Sequence, residues 1–338
     1  MKARDPTRVS ADDGGGSSLL LWTVAILLLL AAVFPYFLGA TLIEIEVLAA
    51  QPFLRLILAL FACALAVFAI MRHKPLIALP ALLAALVIFG QTWATMGWSI
   101  GADIPPQRAG YLHVYSHNIG MESPEEFIEF IAQGDFDLIL LQEVYVSHKR
   151  GWEVLADKLG YEFNFQILRR DAGMGGLFMS KYPMTVLPPL RARSWARHIR
   201  YLPRVQIQYD QVPIDIYNVH LESLPLVEGS RMLFGASRLR RQQAEILARE
   251  IAATGHPVIL GGDLNSTPLY YSNRPLLDLL SDSWGQAGWG LGFTYHASLP
   301  FARIDYVLHR GFRTVTTAVV NVSASDHRGL HVVLEPAR

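Results

Sequence analysis

The stretch PVILGGDLNS, residues 257–266, joins a short apolar run to two glycines and three polar residues. Its first four residues predict a strand that is buried on both faces, because such strands read as short, continuously apolar runs. Asp263 and Asn265 follow the glycines, whose lack of a side chain lets a ligand approach the backbone closely. Asp263 can orient or deprotonate a water molecule while Asn265 contacts phosphoryl oxygens, although an ordinary Asx turn explains the same two residues.

Six further motifs stand in order along the chain, each with polar residues at or beside an apolar, strand-like run. They are SHNI (116–119), LQEV (141–144), a glycine-led strand from 175 to 183, YNVHL (217–221), RIDY (303–306) and SDH (325–327). The ends of neighbouring strands meet at one edge of a sheet, which is where α/β proteins bind ligands. The ordered set, rather than any one motif, predicts a metal-dependent site that cleaves a phosphoester.

Candidate metal ligands follow two of the predicted strands. Glu143 comes just after the buried strand 137–141, and a carboxylate there can bind Mg²⁺, which prefers oxygen ligands and retains several waters. Asn118 follows the strand 111–116 and can place a second oxygen beside the same ion. Each residue also has an ordinary structural explanation when it is taken alone. Glu143 is typical of the polar end of a strand, and Asn118 is typical of a turn.

Two histidines complete the candidate site. Asp305, in a strand, can fix the tautomer of His327 and support its charge, which would make His327 a general acid or base near neutral pH. His220 follows the strand 214–219 and is a candidate donor to phosphate. Because phosphoryl transfer depends mainly on positioning and charge neutralisation, a metal ion, two histidines, an asparagine and an activated water are sufficient.

From about Gly110 the sequence alternates between strand and helix patterns. Two runs of strands, each with helices outside, favour a layered α/β sandwich over a single parallel sheet. One helix is predicted to open with a capping box at Ser123. The predicted strands cover 111–116, 137–141, 204–209, 214–219, 257–260, 303–308 and 331–334, and the predicted helices cover 123–133 and 230–253.

In their order and composition the motifs resemble the endonuclease/exonuclease/phosphatase superfamily, which has the fold of DNase I, over residues 110–338. The resemblance implies a two-sheet, four-layer α/β sandwich that forms a catalytic domain at 108–338. It also implies hydrolysis of a phosphoric ester with Mg²⁺ as the cofactor, or alternatively Mn²⁺. One position departs from the family pattern, since His117 stands where members often have an aromatic or aliphatic residue.

The resemblance implies roles for individual residues. Three of them bind the metal or lie beside it: Asn118, Glu143 and Asp326. Five act on the substrate, on water or on one another: Asp263 orients the attacking water, Asn265 supports the transition state, His220 contacts the phosphate, and Asp305 orients His327.

The first hundred residues contain three apolar runs with almost no charge. They predict transmembrane helices at about 18–39, 52–71 and 75–97, because roughly 20 apolar residues cross a bilayer. These helices fill the region 18–98, and residues 1–17 form a tail before them. A cleaved signal peptide or a buried core helix is an alternative for a single run, but three runs in series disfavour both.

Basic residues predict the orientation of these helices, since cytoplasmic loops are enriched in lysine and arginine. The tail carries three basic residues and the second loop, RHK (72–74), carries two, whereas the first loop has only Glu44 and Glu46. We therefore expect a multi-pass protein of the cell membrane with a cytoplasmic tail and an extracytoplasmic catalytic domain. The only cysteine, Cys63, lies in the second predicted helix, so the catalytic domain can form no disulfide.

Charge informs the choice of substrate. Beyond residue 100 the chain has 23 lysine and arginine residues against 24 aspartate and glutamate residues, a net charge of −1. A nonspecific nucleic-acid binder usually has a basic surface, so nucleic acid is less favoured as a partner. A group of arginines between Arg191 and Arg204 is either a solvated loop or a cradle for an anionic substrate or lipid headgroup.

The whole chain is also similar to bacterial membrane-anchored members of the superfamily, including the VanJ group of glycopeptide-resistance phosphatases. That similarity implies an isoprenoid-lipid phosphate or pyrophosphate as substrate. The expected partners are therefore the bilayer and a phosphorylated, lipid-linked substrate, with no obligate protein partner. A membrane-tethered extracytoplasmic nuclease is the first alternative, and a noncatalytic binding module that keeps the fold is the second.

Overall fold

The computed structural model of the chain describes residues 14–38, 46, 52–99, 104–105, 107, 110–169, 172–194, 198–223, 230–322 and 325–337. Parts of several predictions lie outside these residues, among them residue 39 of the first predicted helix and residues 108–109 at the start of the predicted catalytic domain. Also outside them are most of the tail (1–13), Glu44 of the first predicted loop, and Arg197 of the arginine-rich segment.

Three apolar helices precede the α/β part of the chain: α1 (Gly14–Leu38), α2 (Pro52–Met71) and α3 (Pro75–Trp93). Buried alanines from all three, among them Ala25, Ala62 and Ala81, form much of the contact between the helices. Small side chains at such positions let helix backbones approach closely. The helices predicted from the three apolar runs are therefore present and packed on one another.

Two of these helices have the dimensions of a membrane span. In the described part of the chain, Leu54–Met71 and Pro75–Trp93 are long and apolar enough to cross a membrane, whereas the apolar helical part of α1, Ser17–Val33, is shorter. The third helix ends at Trp93, so its predicted end at 97 was wrong, because the chain turns after Trp93 to form a short strand. Three crossings of the membrane remain a prediction.

The rest of the chain is built around two mixed sheets. In chain order, the strands are β1 (Gly97–Trp98), β2 (Leu112–Asn118), β3 (Leu138–Tyr145), β4 (Glu162–Arg169), β5 (Met174–Ser180), β6 (Met184–Arg193), β7 (Ile199–Tyr209), β8 (Val212–His220), β9 (Val258–Asp263), β10 (Ser281–Asp282), β11 (Trp289–Gly290), β12 (Asp305–Arg310), β13 (Phe312–Val320) and β14 (Gly329–Pro336). The first sheet has the order β13-β14-β2-β3-β5-β4, and the second has the order β10-β12-β9-β8-β7-β6. Within these sheets β2–β3 and β8–β9 are parallel pairs, and the other pairs are antiparallel.

Helices cover the outer faces of both sheets. They are α4 (Ile128–Gly134), α5 (Lys149–Leu159), α6 (Ser230–Ala253) and α7 (Arg274–Leu277), while α8 (Ser283–Ala287) places Trp284 in the core between the sheets. Ile131 of α4 and Trp152 of α5 belong to the core of the first sheet's outer face, and Leu247 of α6 belongs to that of the second. Residues such as Leu140 and Ile259 meet between the sheets. The predicted two-sheet α/β sandwich is confirmed, with helix, sheet, sheet and helix as its layers.

The helix that follows Ser123 begins differently from the prediction. The Ser123 side chain makes no capping hydrogen bond, and Pro124–Phe127 forms a 3₁₀ turn before α4. A hydrogen bond with the Ser123 side chain instead lowers the pKa of the exposed Glu125 carboxyl group. The predicted capping box was therefore wrong, because the hydroxyl is engaged by a neighbouring side chain.

Two contacts join the apolar helices to the sandwich. Glu46, between α1 and α2 in the sequence, is buried, and its Oε1 lies 3.2 Å from Arg240 Nη2 of α6. The backbone N–H of Ser272 donates to the other oxygen of Glu46 at 2.9 Å. After α3, the strand β1 pairs with β11, and Arg303 Nη2 donates to the carbonyl oxygen of Thr95 at 3.5 Å. The helical region is thus connected to the sandwich at two separate places.

Candidate active site

Polar residues from both sheets meet at one edge of the sandwich. Asn118 ends β2, His220 ends β8, Asp263 ends β9, and Asp305 begins β12. In the second sheet Asp263 lies opposite His220 on one side and opposite Asp305 on the other. Strand pairing alone therefore places three of the predicted residues side by side.

Asn118 connects the two sheets at this edge. Its Nδ2 donates to Glu143 Oε1 at 3.2 Å and to Asp263 Oδ2 at 3.1 Å. Glu143 lies in β3 with a φ of 56°, a conformation that is costly outside glycine and that occurs at active sites as well as in turns. The structure thus brings Asn118, Glu143 and Asp263 together.

The chain makes a tight turn from Asp263 to Asn265 at the end of β9. Asp263 Oδ1 accepts a hydrogen bond from the backbone N–H of Asn265 at 2.7 Å, and Oδ2 accepts one from Asn265 Nδ2 at 3.1 Å. Gly262 has a φ of 142°, and a Cβ there would lie 1.9 Å from the carbonyl oxygen of Val219. The Asx turn is therefore present, and it is compatible with a catalytic role because it fixes the Asp263 carboxylate beside the other site residues.

His327 and Asp305 are hydrogen-bonded at the same edge. His327 Nδ1 lies 2.9 Å from Asp305 Oδ2, and His327 Nε2 lies 3.8 Å from Asp263 Oδ2. Burial opposes charge on this imidazole, but the carboxylates of Asp305 and Asp263 outweigh it and raise the pKa of His327 well above its usual range. This arrangement supports an imidazolium with its Nε2 proton directed into the site.

His220 faces the same carboxylates from β8. Its Nε2 lies 3.5 Å from Glu143 Oε1 and 3.8 Å from Asp263 Oδ2. Burial, together with the nearby Arg200 guanidinium, lowers the pKa of His220 well below its usual range. A neutral imidazole in this position can donate a hydrogen bond to a phosphoryl oxygen.

The charges at this edge fit a divalent metal ion. Among the described residues, the ion-pair partners of Glu143 and Asp263 are His220 and His327, not lysine or arginine. Burial raises the pKa of both carboxyl groups, and a bound cation favours the charged carboxylates. These carboxylates are hard oxygen donors of the kind that Mg²⁺ or Mn²⁺ prefers. Asn118 faces them with its Nδ2, while its Oδ1 accepts a hydrogen bond from the backbone N–H of Gly120 at 3.1 Å.

A second, overlapping donor set lies on the other side of Asp263. One ligand atom from each of Asp263, Asp305 and His327 falls within 4.8 Å of the others. Asp326, predicted to lie at the metal, is at the rim of the site with its side chain 48% exposed, and its Oδ1 is 4.0 Å from His327 Nε2. Asp263, which was predicted to orient water rather than to bind metal, therefore lies beside the predicted ligand Glu143 and also belongs to an alternative donor set that the sequence did not indicate.

Three further residues support His327. Ser325 Oγ donates to the carbonyl oxygen of Asn118 at 2.7 Å and accepts from the backbone N–H of His327 at 3.1 Å. His117 Nε2 lies 3.1 Å from the carbonyl oxygen of His327, and the ring of Tyr295 packs 5.0 Å from the His327 ring. Ser325 and His117 lie inside predicted motifs, so their sequence positions could have indicated a role at the site. Tyr295 lies in no motif, and its contact with His327 joins segments that are distant in sequence.

The arginine-rich segment is used largely within the protein. Arg200 is buried, donates to the carbonyl oxygen of His220 at 2.8 Å and pairs with Glu222 at 3.3 Å. Arg204 pairs with Glu250. These two arginines therefore do not form a cradle for an anionic substrate. Arg200 instead holds the strand end that carries His220.

Comparison with known proteins agrees with this geometry. A model of the Endonuclease/Exonuclease/phosphatase family matches residues 115–327, which include every predicted site residue. Among curated proteins, none matches the chain.

Solved structures share the fold of the α/β sandwich. An endonuclease/exonuclease/phosphatase family protein from Bacteroides thetaiotaomicron is 17% identical with a TM-score of 0.53, covering 68% of this chain and 98% of that one. A humanized D. rerio TDP2 with 14 mutations is 17% identical with a TM-score of 0.52, covering 67% and 100%. Truncated Caenorhabditis elegans TDP2 is 18% identical with a TM-score of 0.51, covering 67% and 98%. At these identities the likeness concerns the fold.

Proposed function

The chain belongs to the endonuclease/exonuclease/phosphatase family, and on that premise we propose that it is a membrane-anchored, Mg²⁺-dependent phosphohydrolase that acts on a phosphate group of a membrane lipid. The family name covers nucleases and phosphatases alike, so the substrate has to be argued from this chain. We favour an isoprenoid-lipid phosphate or pyrophosphate, as in the VanJ group, with the catalytic domain outside the cell.

The first half of the site accounts for binding of the phosphoryl group. A divalent cation held by Asn118 and Glu143 would neutralise negative charge on the phosphoryl oxygens and polarise them. His220 is positioned between Glu143 and Asp263 to donate a hydrogen bond to one of these oxygens. Buried donors of this kind are effective because they are fixed before the reaction begins.

The second half of the site accounts for movement of protons. Asp263, held by its turn, can orient the attacking water and accept its proton, while Asn265 contacts the transition state. His327 can give the proton at Nε2 to the leaving oxygen, since Asp305 holds Nδ1 and stabilises the imidazolium. Asp326 at the rim would serve the metal or the substrate entrance.

The lipid part of the proposal is carried by one observation, the closeness of the site to the apolar helices. Arg303 contacts Thr95, two residues beyond α3, and stands two residues before Asp305. Two residues span at most about 7 Å of chain. A phosphate group at the height of the membrane surface is therefore within reach of this edge of the sandwich.

The contact on the other side supports the same arrangement. Arg240, which pairs with Glu46, also donates to the carbonyl oxygen of Glu222 at 3.0 Å. Glu222 stands two residues after His220, so this contact too adjoins the site. Both the segment after α1 and the segment after α3 touch the catalytic domain, as expected if these helices cross the membrane three times.

A membrane-tethered extracytoplasmic nuclease is the alternative with the same chemistry. It would need a basic groove, and the net charge of −1 beyond residue 100 does not favour one. Arg200 and Arg204 are moreover engaged with Glu222 and Glu250. Tethering also raises the effective concentration of the enzyme toward membrane substrates, and much less toward soluble ones.

The test uses the full chain in lipid nanodiscs. Release of phosphate from a polyprenyl monophosphate and a polyprenyl pyrophosphate is measured beside cleavage of plasmid DNA, with Mg²⁺, with Mn²⁺ and with chelator. We expect metal-dependent phosphate release that His327→Ala abolishes. Cleavage of DNA without release of lipid phosphate would support the nuclease. No cleavage of any phosphoester, by parent or variant, would support the noncatalytic module.

A further inference from the structure

The catalytic domain contains one long segment without charge, residues 283–302, which we call the uncharged loop. Its sequence, SWGQAGWGLGFTYHASLPFA, has no aspartate, glutamate, lysine or arginine, and no uncharged stretch beyond residue 108 is longer. The flanking residues close it, because Arg303 Nη1 lies 2.8 Å from Asp282 Oδ2. The uncharged loop is therefore a defined unit whose two ends are joined by an ion pair.

Large apolar side chains of this loop are exposed. The exposed fraction is 58% for Trp289, 78% for Leu299 and 40% for Phe301. Single exposed apolar residues are ordinary on a protein surface, but several within one uncharged segment mark a contact surface. Charged side chains are costly to bring into the hydrocarbon part of a membrane, and this segment has none.

One end of the uncharged loop lies against the exit of a candidate membrane span. Trp289 in β11 is opposite Trp98 in β1, with their rings 6.3 Å apart. Trp98 in turn stacks on Trp93, the last residue of α3. Tryptophans are enriched where a membrane meets water, so this row of three marks the level of the interface and reaches the uncharged loop.

The other part of the uncharged loop lies on the active site. The ring of Tyr295 packs 5.0 Å from the ring of His327, and the ring of Phe301 packs 5.4 Å from that of Tyr295. Thr294 Oγ1 accepts a hydrogen bond from the backbone N–H of Asp305 at 3.3 Å. The same short segment therefore contacts both the end of α3 and the catalytic histidine–aspartate pair.

We propose that the uncharged loop rests in the interfacial layer of the membrane that holds α2 and α3, with Trp289, Leu299 and Phe301 in contact with lipid. This inference rests on the proposed membrane anchoring and does not require that the substrate be a lipid. The occupant of the apolar surface is the leaflet itself, because Trp289 of the loop packs on Trp98, which stacks on Trp93 at the end of α3. A lipid in that leaflet would enter the site with its headgroup leading, and the headgroup would pass beside Tyr295.

Site-specific labelling tests the position of the loop. Cys63 is the only cysteine, so a Cys63→Ala chain accepts a single new thiol. Leu299→Cys is labelled with an environment-sensitive fluorophore in nanodiscs, and Val212→Cys is the control. Val212 is 46% exposed and starts β8, about 26 Å along an extended strand from His220 at its other end.

The proposal predicts different quenching at the two positions. The label at position 299 should be quenched several-fold more by lipids with a nitroxide near the headgroup than the label at 212, and several-fold less by aqueous iodide. Equal quenching at the two positions would overturn the proposal. Protection from iodide without quenching by the lipid nitroxide would also overturn it, since a protein rather than the leaflet would then cover the loop.

An activity measurement provides the second arm. Leu299→Ser should raise the KM for a lipid phosphate in nanodiscs several-fold and leave kcat/KM for p-nitrophenyl phosphate in solution unchanged, whereas Val212→Ser should change neither. An equal loss on both substrates would contradict a lipid contact at Leu299. If the chain cleaves no lipid phosphate at all, the proposed substrate fails, while the labelling result still decides where the loop lies.

Discussion

Glu46 and Arg240 form an ion pair that is buried on both sides, although the two residues are 194 positions apart. The pair joins the segment between the first two apolar helices to the long helix α6. The guanidinium carbon of Arg240 also lies over the ring of Tyr270, 5.7 Å from its centroid. Arg240 Nη2 donates a hydrogen bond to Ser237 Oγ as well. A buried pair depends on both members, because removal of one leaves the other charge without compensation.

We predict that Glu46→Ala destabilises the catalytic domain by about 3–5 kcal/mol, the usual cost of removing one member of a buried ion pair. Thermal unfolding of the full chain in detergent measures the change. The control is Glu245→Ala, which breaks an exposed pair with Arg241 on the same helix and should cost about 0–1 kcal/mol. Equal shifts for the two variants would mean that the Glu46 contact contributes no more than a surface pair.

The His327–Asp305 hydrogen bond leads to a kinetic prediction. Asp305→Asn should lower kcat about 10²–10⁴-fold, since the imidazole loses both its orientation and the partner that stabilises its charge. The control is Asp215→Asn, because Asp215 also contacts a histidine, His256, at 3.2 Å. Asp215 lies five residues from His220 in the same strand, about 16 Å away. A comparable loss of activity in both variants would indicate damage to the second sheet rather than to catalysis.

The two overlapping donor sets can be separated by metal titration. Glu143→Gln should lower the affinity for Mn²⁺, measured by electron paramagnetic resonance of the ion. Loss of a residue that only supports a ligand typically lowers metal affinity about 10–100-fold, and loss of a ligand should lower it at least as much. Asp305→Asn should leave the affinity nearly unchanged if Asp305 serves His327 alone. The reverse pattern would assign the ion to Asp263, Asp305 and His327.

The edge of the sandwich could be predicted from sequence because its signals are local. Asp263 and Glu143 each follow a short apolar run, and such runs predict buried strands wherever they occur. The glycine at position 262 is required by its φ and by the carbonyl oxygen against it, and its role was visible in the motif. The order of the motifs then indicated which strand ends belong together.

The remaining parts depend on contacts between distant segments. Tyr295 reaches His327, and Arg200 reaches Glu222 and His220, only after the sheets have formed and packed. No helix-like or strand-like hydrophobic pattern leads up to Tyr295 or Arg200. The sequence around them therefore does not tell whether their side chains are buried or exposed. The same limit applies to Ser123, whose hydroxyl had two competing partners within three residues.

A pair of buried histidines at the opposite end of β2 predicts how stability depends on pH. His331 lies 3.2 Å from His113, and burial, followed by the charge of His113, lowers the pKa of His331 to about 3. An unfolded histidine titrates near 6.5. Below pH 6.5 the unfolded chain therefore binds a proton that the folded chain does not, so the free energy of unfolding falls as the pH falls toward 3.

We predict that His331→Gln reduces this acid sensitivity. One such histidine contributes a slope of about 1.4 kcal/mol per pH unit, so the variant should lose about 2–3 kcal/mol less than the parent between pH 6 and pH 4. Above pH 7 the difference in stability between the two proteins should no longer change with pH. His198→Gln, at an exposed position, should keep the parent's slope. These slopes are measured by unfolding the full chain in detergent at each pH and following tryptophan fluorescence. Parallel curves of unfolding free energy against pH for the parent and His331→Gln would show that the buried histidine does not cause the acid sensitivity.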